Sequence, residues 1–287
     1  MPVIDSHHHF WDPARFAYPW MAGAALAPIR RRFAAGDLAP ALAAHGVDAT
    51  IAVQCCSDVA ETEAILAEAA DTRFVAGVVG WADLTDPAVG AVLDRLKGGR
   101  GGDKLVGIRH QVHDEEDPHW LMRRDVRRGL AAVLARDLAY DLLVRTRELP
   151  AAIDAVAAFP AGRFVLDHAA KPPLAGGLTE SWRRGIADLA ARPNVWCKVS
   201  GLVTEADWQG WRLEQIAPAV RHVVDSFGED RVMFGSDWPV CLLAADYGTV
   251  KDLAARCVSP ASAAAARKFW GGNAARAYRL ALGDLEC

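Results

Sequence analysis

No apolar stretch in this sequence approaches the roughly 20 residues that span a bilayer, so no membrane partner is expected. The first residues also lack the basic-then-apolar pattern of an export signal, and the expected compartment is the cytoplasm. Positive charge is not in excess: 32 Lys and Arg stand against 36 Asp and Glu, a formal net charge of -4. Basic runs such as Arg30-Arg31-Arg32 are isolated, which argues against a phosphate backbone and so against nucleic acid as a partner. The six cysteines, Cys55, Cys56, Cys197, Cys241, Cys257 and Cys287, include no CxxC pair, and buried thiols are expected rather than disulfides. No glycine-rich fingerprint follows the first strand candidate, which disfavours a dinucleotide-binding fold.

What is present is a large core and a repeating pattern. The 287 residues are 52% hydrophobic and 24% charged, an ordinary globular balance. Short β-branched runs alternate with longer Ala/Leu-rich stretches of helical period. The spacing predicts strands at Val3–Asp5, Thr50–Gln54, Phe74–Gly80, Leu105–His110, Ala139–Leu143, Arg163–Asp167, Val195–Val199 and Arg231–Phe234. Helices are expected over Val59–Ala69, Ala88–Leu96, Val126–Arg136, Leu149–Ala158, Ile186–Ala191 and Ile216–Phe227, with Asp58 and Glu61 marking one helix start. Eight such units predict an α/β fold of the TIM type, a parallel (β/α)8 barrel forming a single domain over residues 1–287. Two additions are expected: a long first βα loop carrying Tyr18, Pro19 and Trp20, which folds over the barrel mouth or packs outside it, and an extra C-terminal helix over Ser259–Leu282 with Pro260 in its first turn.

In such a barrel the chemistry collects where strands end. Those positions hold His7 and His9, Gln54, Trp81, Arg109 and His110, Asp141, His168, Lys198, and Asp237 with Trp238. Residues two apart on a strand share a face, so His7 and His9 in "VIDSHHHFW" converge while His8 points elsewhere. The triplet lies between an apolar run and "FWDP", which argues against a tag remnant. Three imidazoles and a carboxylate, His7, His9, His168 and Asp237, suit one divalent ion such as zinc, and equally suit an acid/base site without metal. Lys198 leaves a buried strand, for a surface salt bridge or a role in the pocket, and Arg109 is placed to hold a carbonyl or carboxylate. Gln54 and Asp141 are structural hydrogen-bonders or pocket donors and acceptors; Trp81 and Trp238 are core or flat apolar walls.

These motifs together resemble the amidohydrolase superfamily, amidohydrolase family 2, in the branch of sugar-lactone and pyrone-dicarboxylate lactonases. "IDSHHHFWDP" resembles that branch's opening HxHxW motif, "VGIRH" its fourth-strand motif, "LDHAAKP" its sixth and "FGSDWPV" its eighth; "FWGGNAARAYRL" is similar to its closing "GxNAxxxY" helix. The resemblance covers essentially the whole chain. It implies that His7 and His9 are the first-strand pair, His168 the sixth-strand histidine, and Asp237 the aspartate that handles the water proton. Members with two metals use a bridging Lys or carboxylate on the fourth or fifth strand and histidines on both the fifth and sixth. Here the fourth ends in Arg109-His110 and the fifth in "DLLV", so at most one ion is expected, Zn2+, on His7, His9 and Asp237, with its necessity open.

The activity implied is a hydrolase that opens a small sugar lactone, an aldonolactone of the L-fuconolactone kind, by water attack. Asp237, His168, Arg109 and His9 are the expected catalytic residues. Gln54, Trp81, His110, Asp141, Lys198 and Trp238 are the expected contacts to the lactone, the one small-molecule partner. The alternatives are a zinc-dependent nonoxidative decarboxylase, a pyrone-dicarboxylate lactonase and a noncatalytic binding protein; the dicarboxylate would require Arg30, Arg31 or Arg32 to fold inward.

Overall fold

The computed structural model describes residues 1–281. Its eight strands are β1 (Ile4–His8), β2 (Ala49–Val53), β3 (Val75–Gly80), β4 (Leu105–His110), β5 (Ala139–Leu142), β6 (Phe164–Leu166), β7 (Val195–Val199) and β8 (Val232–Phe234). They pair in parallel, each with its neighbour in sequence. Two backbone hydrogen bonds join the end of the eighth strand to the first: Asp237 N–H donates to His7 O at 2.8 Å, and His9 N–H donates to Trp238 O at 2.7 Å. The sheet is therefore a barrel of the TIM type, as the alternating pattern predicts.

Helices follow the strands around the outside: α1 (Ala35–Ala44), α2 (Val59–Ala70), α3 (Val89–Gly98), α4 (Arg124–Leu134), α5 (Leu149–Ala158), α6 (Glu180–Ala190), α7 (Leu213–Phe227) and α8 (Tyr247–Val258). Their stripes explain their placement: α7 buries Ile216, Val220, Val223 and Phe227, spaced three and four apart, while Arg221 stays exposed. Asp58 caps α2 by accepting from Ala60 N–H at 2.8 Å. Glu61 does not complete a capping box; its Oε2 accepts from Cys55 and Cys56 N–H at 2.9 and 3.0 Å and fixes the loop after β2. The expected single terminal helix is instead α9 (Ala263–Arg267), a π-turn over Lys268–Gly272 and α10 (Asn273–Tyr278), with Ser262 rather than Pro260 at the start. The last expected residue of that helix, Leu282, and Cys287 lie outside the described residues. The five described cysteines are free and buried, and no helix among the described residues is long and apolar enough to cross a membrane.

The barrel interior is layered. Ile4, Ile51, Val53, Val79, Val165 and Met233 fill its lower part, closed from below by Ala274, Ala277 and Tyr278 of α10. Above them the inward side chains become polar. The first strand carries an irregularity in its pairing with β2 between Asp5 and His8, after which His7 faces the barrel centre and His8 turns to Thr50 Oγ1 at 2.8 Å.

Asp5 ties this irregular strand to the last one. Its buried carboxylate accepts from Ser236 Oγ at 2.6 Å, Ser236 N–H at 2.8 Å, Tyr247 OH at 3.0 Å and His7 N–H at 3.1 Å. Replacing it by alanine orphans two buried backbone donors, so Asp5→Ala should cost about 3 kcal/mol of stability in urea unfolding. A loss under about 0.5 kcal/mol would show that the knot is not structural.

Candidate active site

The mouth of the barrel gathers side chains from four strand ends. His7 Nε2 and His9 Nε2 lie 3.3 Å apart, His9 Nε2 is 3.3 Å from Asp237 Oδ1, and both His7 Nε2 and His168 Nε2 are 3.8 Å from that oxygen. Arg109 Nη1 is 3.3 Å from His7 Nε2. All five are buried.

Local backbone geometry sets these positions. His168, Ala169, Ala170 and Lys171 form a left-handed turn, with φ of 51, 51, 56 and 48°, and Asp237 has φ 58°. L-residues avoid this region, so the surrounding structure holds the turn against its own preference. Gly201 leaves the space that the turn needs: a Cβ there would lie 2.6 Å from His168 Nδ1 and 2.9 Å from Asp237 Oδ2, on a backbone of φ 63°. His168 Nδ1 pairs with Ser200 Oγ at 2.8 Å, and His9 Nδ1–H donates to Val53 O at 2.8 Å.

That last bond decides the chemistry of the donor set. With its proton on Nδ1, His9 presents a bare Nε2 lone pair to a carboxylate oxygen and to a second imidazole nitrogen. An imidazole lone pair facing a carboxylate oxygen calls for a shared cation. His7, His168 and Asp237 offer ligand atoms within 4.8 Å of one another, and His9 Nε2 lies 3.3 Å from both His7 Nε2 and Asp237 Oδ1. Burial pushes His168 down to about 4 and His7 well below the usual imidazole value, which keeps both neutral and able to coordinate. Burial raises the Asp237 carboxyl, but His168, His9 and Lys171 more than offset it and leave it below the ordinary value, hence ionised. The residues fit one divalent ion. A second has no bridging ligand, because Lys198 is held elsewhere.

Beneath His7 lies a sealed charge cluster. Lys198 Nζ donates to Asp141 Oδ2 at 2.6 Å and lies 2.9 Å from Asp167 Oδ1 and 3.2 Å from His7 Nδ1. Arg109 Nη1 donates to Asp167 Oδ2 at 2.9 Å, and Tyr278 OH reaches up from α10 to Asp141 Oδ2 at 2.7 Å. Although burial opposes ionisation of Asp167, Lys198, His7 and Arg109 hold its carboxyl well below the usual range. Asp167, absent from the residues singled out by sequence, is the anion shared by all three.

The cavity above has a volume of about 370 Å³ and is lined by His9, Arg109, His168 and Asp237, with Trp20, Gln111, His113, Asp114, Arg145, Lys171, Thr204, Glu205 and Trp208 among its walls. The four expected catalytic residues thus share one cavity, and the long first loop does reach the mouth, where Trp20 Nε1–H donates to Cys55 O at 3.0 Å.

The six expected substrate contacts are not among its lining residues. Asp141 and Lys198 lie too deep, fully buried and paired with each other. Gln54 is buried too, its side-chain oxygen accepting from Arg109 Nη2 at 3.0 Å. Trp81 donates to His110 Nδ1 at 3.0 Å, and His110 stacks on Trp120 at 4.2 Å. Trp238 packs edge-on against Phe33 at 5.3 Å. Strand alternation indicates which side chains point inward but not how deep they stop. The missed wall residues sit in loops, where Lys171 of "DHAAKP" carried the only local signal.

Removing one partner from this sealed cluster leaves buried carboxylates uncompensated. Lys198→Met should therefore lower stability by about 3 kcal/mol in chemical denaturation. A change below about 1 kcal/mol would mean that Asp141 and Asp167 do not depend on the ammonium.

Comparison with known proteins agrees with this architecture. The amidohydrolase family model matches residues 4–280. The chain is 43% identical to the L-fucono-1,5-lactonase of Burkholderia multivorans, over 96% of each chain. It is 42% identical to the L-fucono-1,5-lactonase of Burkholderia ambifaria, over 96% of this chain and 95% of that one. A crystal structure of an amidohydrolase from Burkholderia multivorans with bound zinc superposes with a TM-score of 0.91 at 42% identity, covering 98% of this chain and 100% of the other. With a whole-length family match and relatives above 40% identity, the chain belongs to the amidohydrolase family.

Proposed function

We propose that this protein hydrolyses the ring ester of a small sugar lactone of the L-fucono-1,5-lactone kind, releasing the open-chain hydroxy acid. The observation that carries the reading is Asp237: an ionised carboxylate on the floor of a 370 Å³ cavity, ringed by His7, His9 and His168. The relatives of similar sequence named as L-fucono-1,5-lactonases support the substrate class.

The step follows from these groups. Water adds to the lactone carbonyl as Asp237 takes its proton, an effect worth about 10² to 10⁴ in rate. Arg109, on the cavity wall, stabilises charge developing on the carbonyl oxygen, while His9 turns its Nε2 toward Asp237. As the ring C–O bond breaks, Asp237 returns the proton to the departing oxygen, which becomes a hydroxyl. The new carboxylic acid ionises, so one proton appears in solution per ring opened.

His7, His9 and Asp237, with His168 in reach, would hold a single divalent ion, for which zinc suits the imidazole and carboxylate donors. When bound, such an ion polarises a carbonyl and acidifies water. Buried pairing of His9 with Val53 O and of His168 with Ser200 Oγ orients the rings that would bind it.

Charge selects among lactones. The cavity walls carry Arg109, Arg145 and Lys171 against Asp114, Glu205 and Asp237, three of each sign. Arg30 instead binds Met21 O and Gly23 O, Arg31 reaches Asp37, and Arg32 lies 3.8 Å from Asp12. A balanced cavity suits a neutral polyhydroxylated ring better than a pyrone dicarboxylate, while Trp20, Trp208, Leu26 and Leu243 offer apolar faces to its carbons.

Asp237→Asn keeps the shape and removes the proton acceptor. We expect an unchanged fold by circular dichroism and a fall in kcat on the order of 10² or more on L-fucono-1,5-lactone, with a smaller change in KM. Near wild-type kcat in the folded variant would remove Asp237 from the proton transfer.

A further inference from the structure

The cavity walls hold few polar groups that are free to meet a ligand. Gln111 Nε2–H donates to Cys55 O at 3.0 Å, and its Oε1 accepts from Ser57 Oγ at 3.2 Å and Gln54 Nε2 at 3.3 Å. Thr204 Oγ1 donates to Gly201 O at 2.9 Å. Trp20 and Trp208 donate their indole N–H groups to Cys55 O and Thr204 O, at 3.0 and 2.9 Å, and so show the cavity only their rings. His113 Nε2 lies 3.3 Å from Asp114 Oδ1.

One pair differs. Lys171 Nζ donates to Glu205 Oε1 at 2.7 Å, with both side chains mostly buried at 17% and 14% exposure. That bond uses one of three ammonium donors. Among the described residues no hydrogen bond is made by Glu205 Oε2, so the pair presents donors and an acceptor side by side. Lys171 belongs to the same left-handed turn as His168, and its N–H donates to His168 O at 2.8 Å, which fixes the pair relative to the reacting groups. Glu205 is held from the next strand's loop, where its carbonyl accepts from Ala175 N–H at 3.2 Å.

A donor and an acceptor one hydrogen bond apart match two neighbouring ring hydroxyls, one accepting from Lys171 and the other donating to Glu205. Resting on the lactonase reading, we infer that the Lys171–Glu205 pair is the specificity element that recognises a vicinal diol on the lactone ring. Arg145, the wall cation outside the reacting groups, is exposed, and among the described residues no salt bridge joins it to a carboxylate, so it lacks the paired donor and acceptor that a diol requires.

The test compares kcat/KM for L-fucono-1,5-lactone with that for unsubstituted δ-valerolactone, in the wild type and in two variants. Lys171→Met/Glu205→Leu replaces both partners with apolar side chains of similar size and leaves no orphaned charge. Glu205→Gln keeps a hydrogen bond to Lys171 and guards against failure of the double variant to fold. Taking the ratio between the two lactones cancels their intrinsic reactivity and any general damage to the catalytic groups. The ratio should be well above one in the wild type, fall by about 10²-fold in the double variant and by about tenfold in Glu205→Gln. A ratio preserved within twofold in the folded variants, or a wild type that opens both lactones equally well, overturns the inference and leaves the hydrolase standing. A wild type inert toward both overturns the hydrolase and the inference together.

Discussion

Asp237 N–H donates to His7 O, and His9 N–H donates to Trp238 O; these two bonds close the barrel. The residues that seal it are therefore the residues, or the direct neighbours of the residues, that form the site. His7 and His9 meet Asp237 because their own backbones are joined, not because a flexible loop delivers one to the other. Asp5 reinforces this seam two residues before His7 by binding Ser236, one residue before Asp237. Fixing the reacting groups on a rigid closure is what short-range proton transfer requires, since small misplacements are costly in rate.

The seam alone would not keep His7 in place. Its ring lies above Lys198, Asp141, Asp167 and Arg109, two buried cations and two buried anions. Each charge there is tolerable only because the others are present. This cluster divides the barrel interior into an apolar lower layer closed by α10 and a reactive upper one. Tyr278 connects them, extending from the terminal helix to Asp141. The C-terminal segment thus supports the site from the opposite end of the barrel.

Strand alternation made much of this legible. The β-branched runs gave all eight strands to within a few residues at each end, and the two-residue period separated His7 and His9 from His8. The convergence of His168 and Asp237 followed from reading strand ends alone. Depth does not follow: alternation alone puts Asp141 and Lys198 at the mouth, but a side chain's layer depends on barrel tilt and stagger, which one sequence does not display. Asp167 gives no such signal beside His168, because nothing local reveals that Lys198, Arg109 and His7 will surround it. Gln111, Glu205 and Trp208 lie in loops whose paths are set by tertiary packing, and their sequence neighbourhoods carry no period. Pro260 marks a helix start by its residue type, yet Ser262, two residues later, supplies the cap to Ala265 N–H at 3.0 Å.

Water attack at the mouth of this closed barrel is the central claim, and proton release from the wild-type protein measures it most directly. Mixed with L-fucono-1,5-lactone in a weakly buffered pH indicator, the zinc-supplemented protein should release one proton per ring opened, at a rate that saturates with lactone and scales with protein. Acid release no faster than the spontaneous opening of the lactone, across the full concentration range, would contradict it.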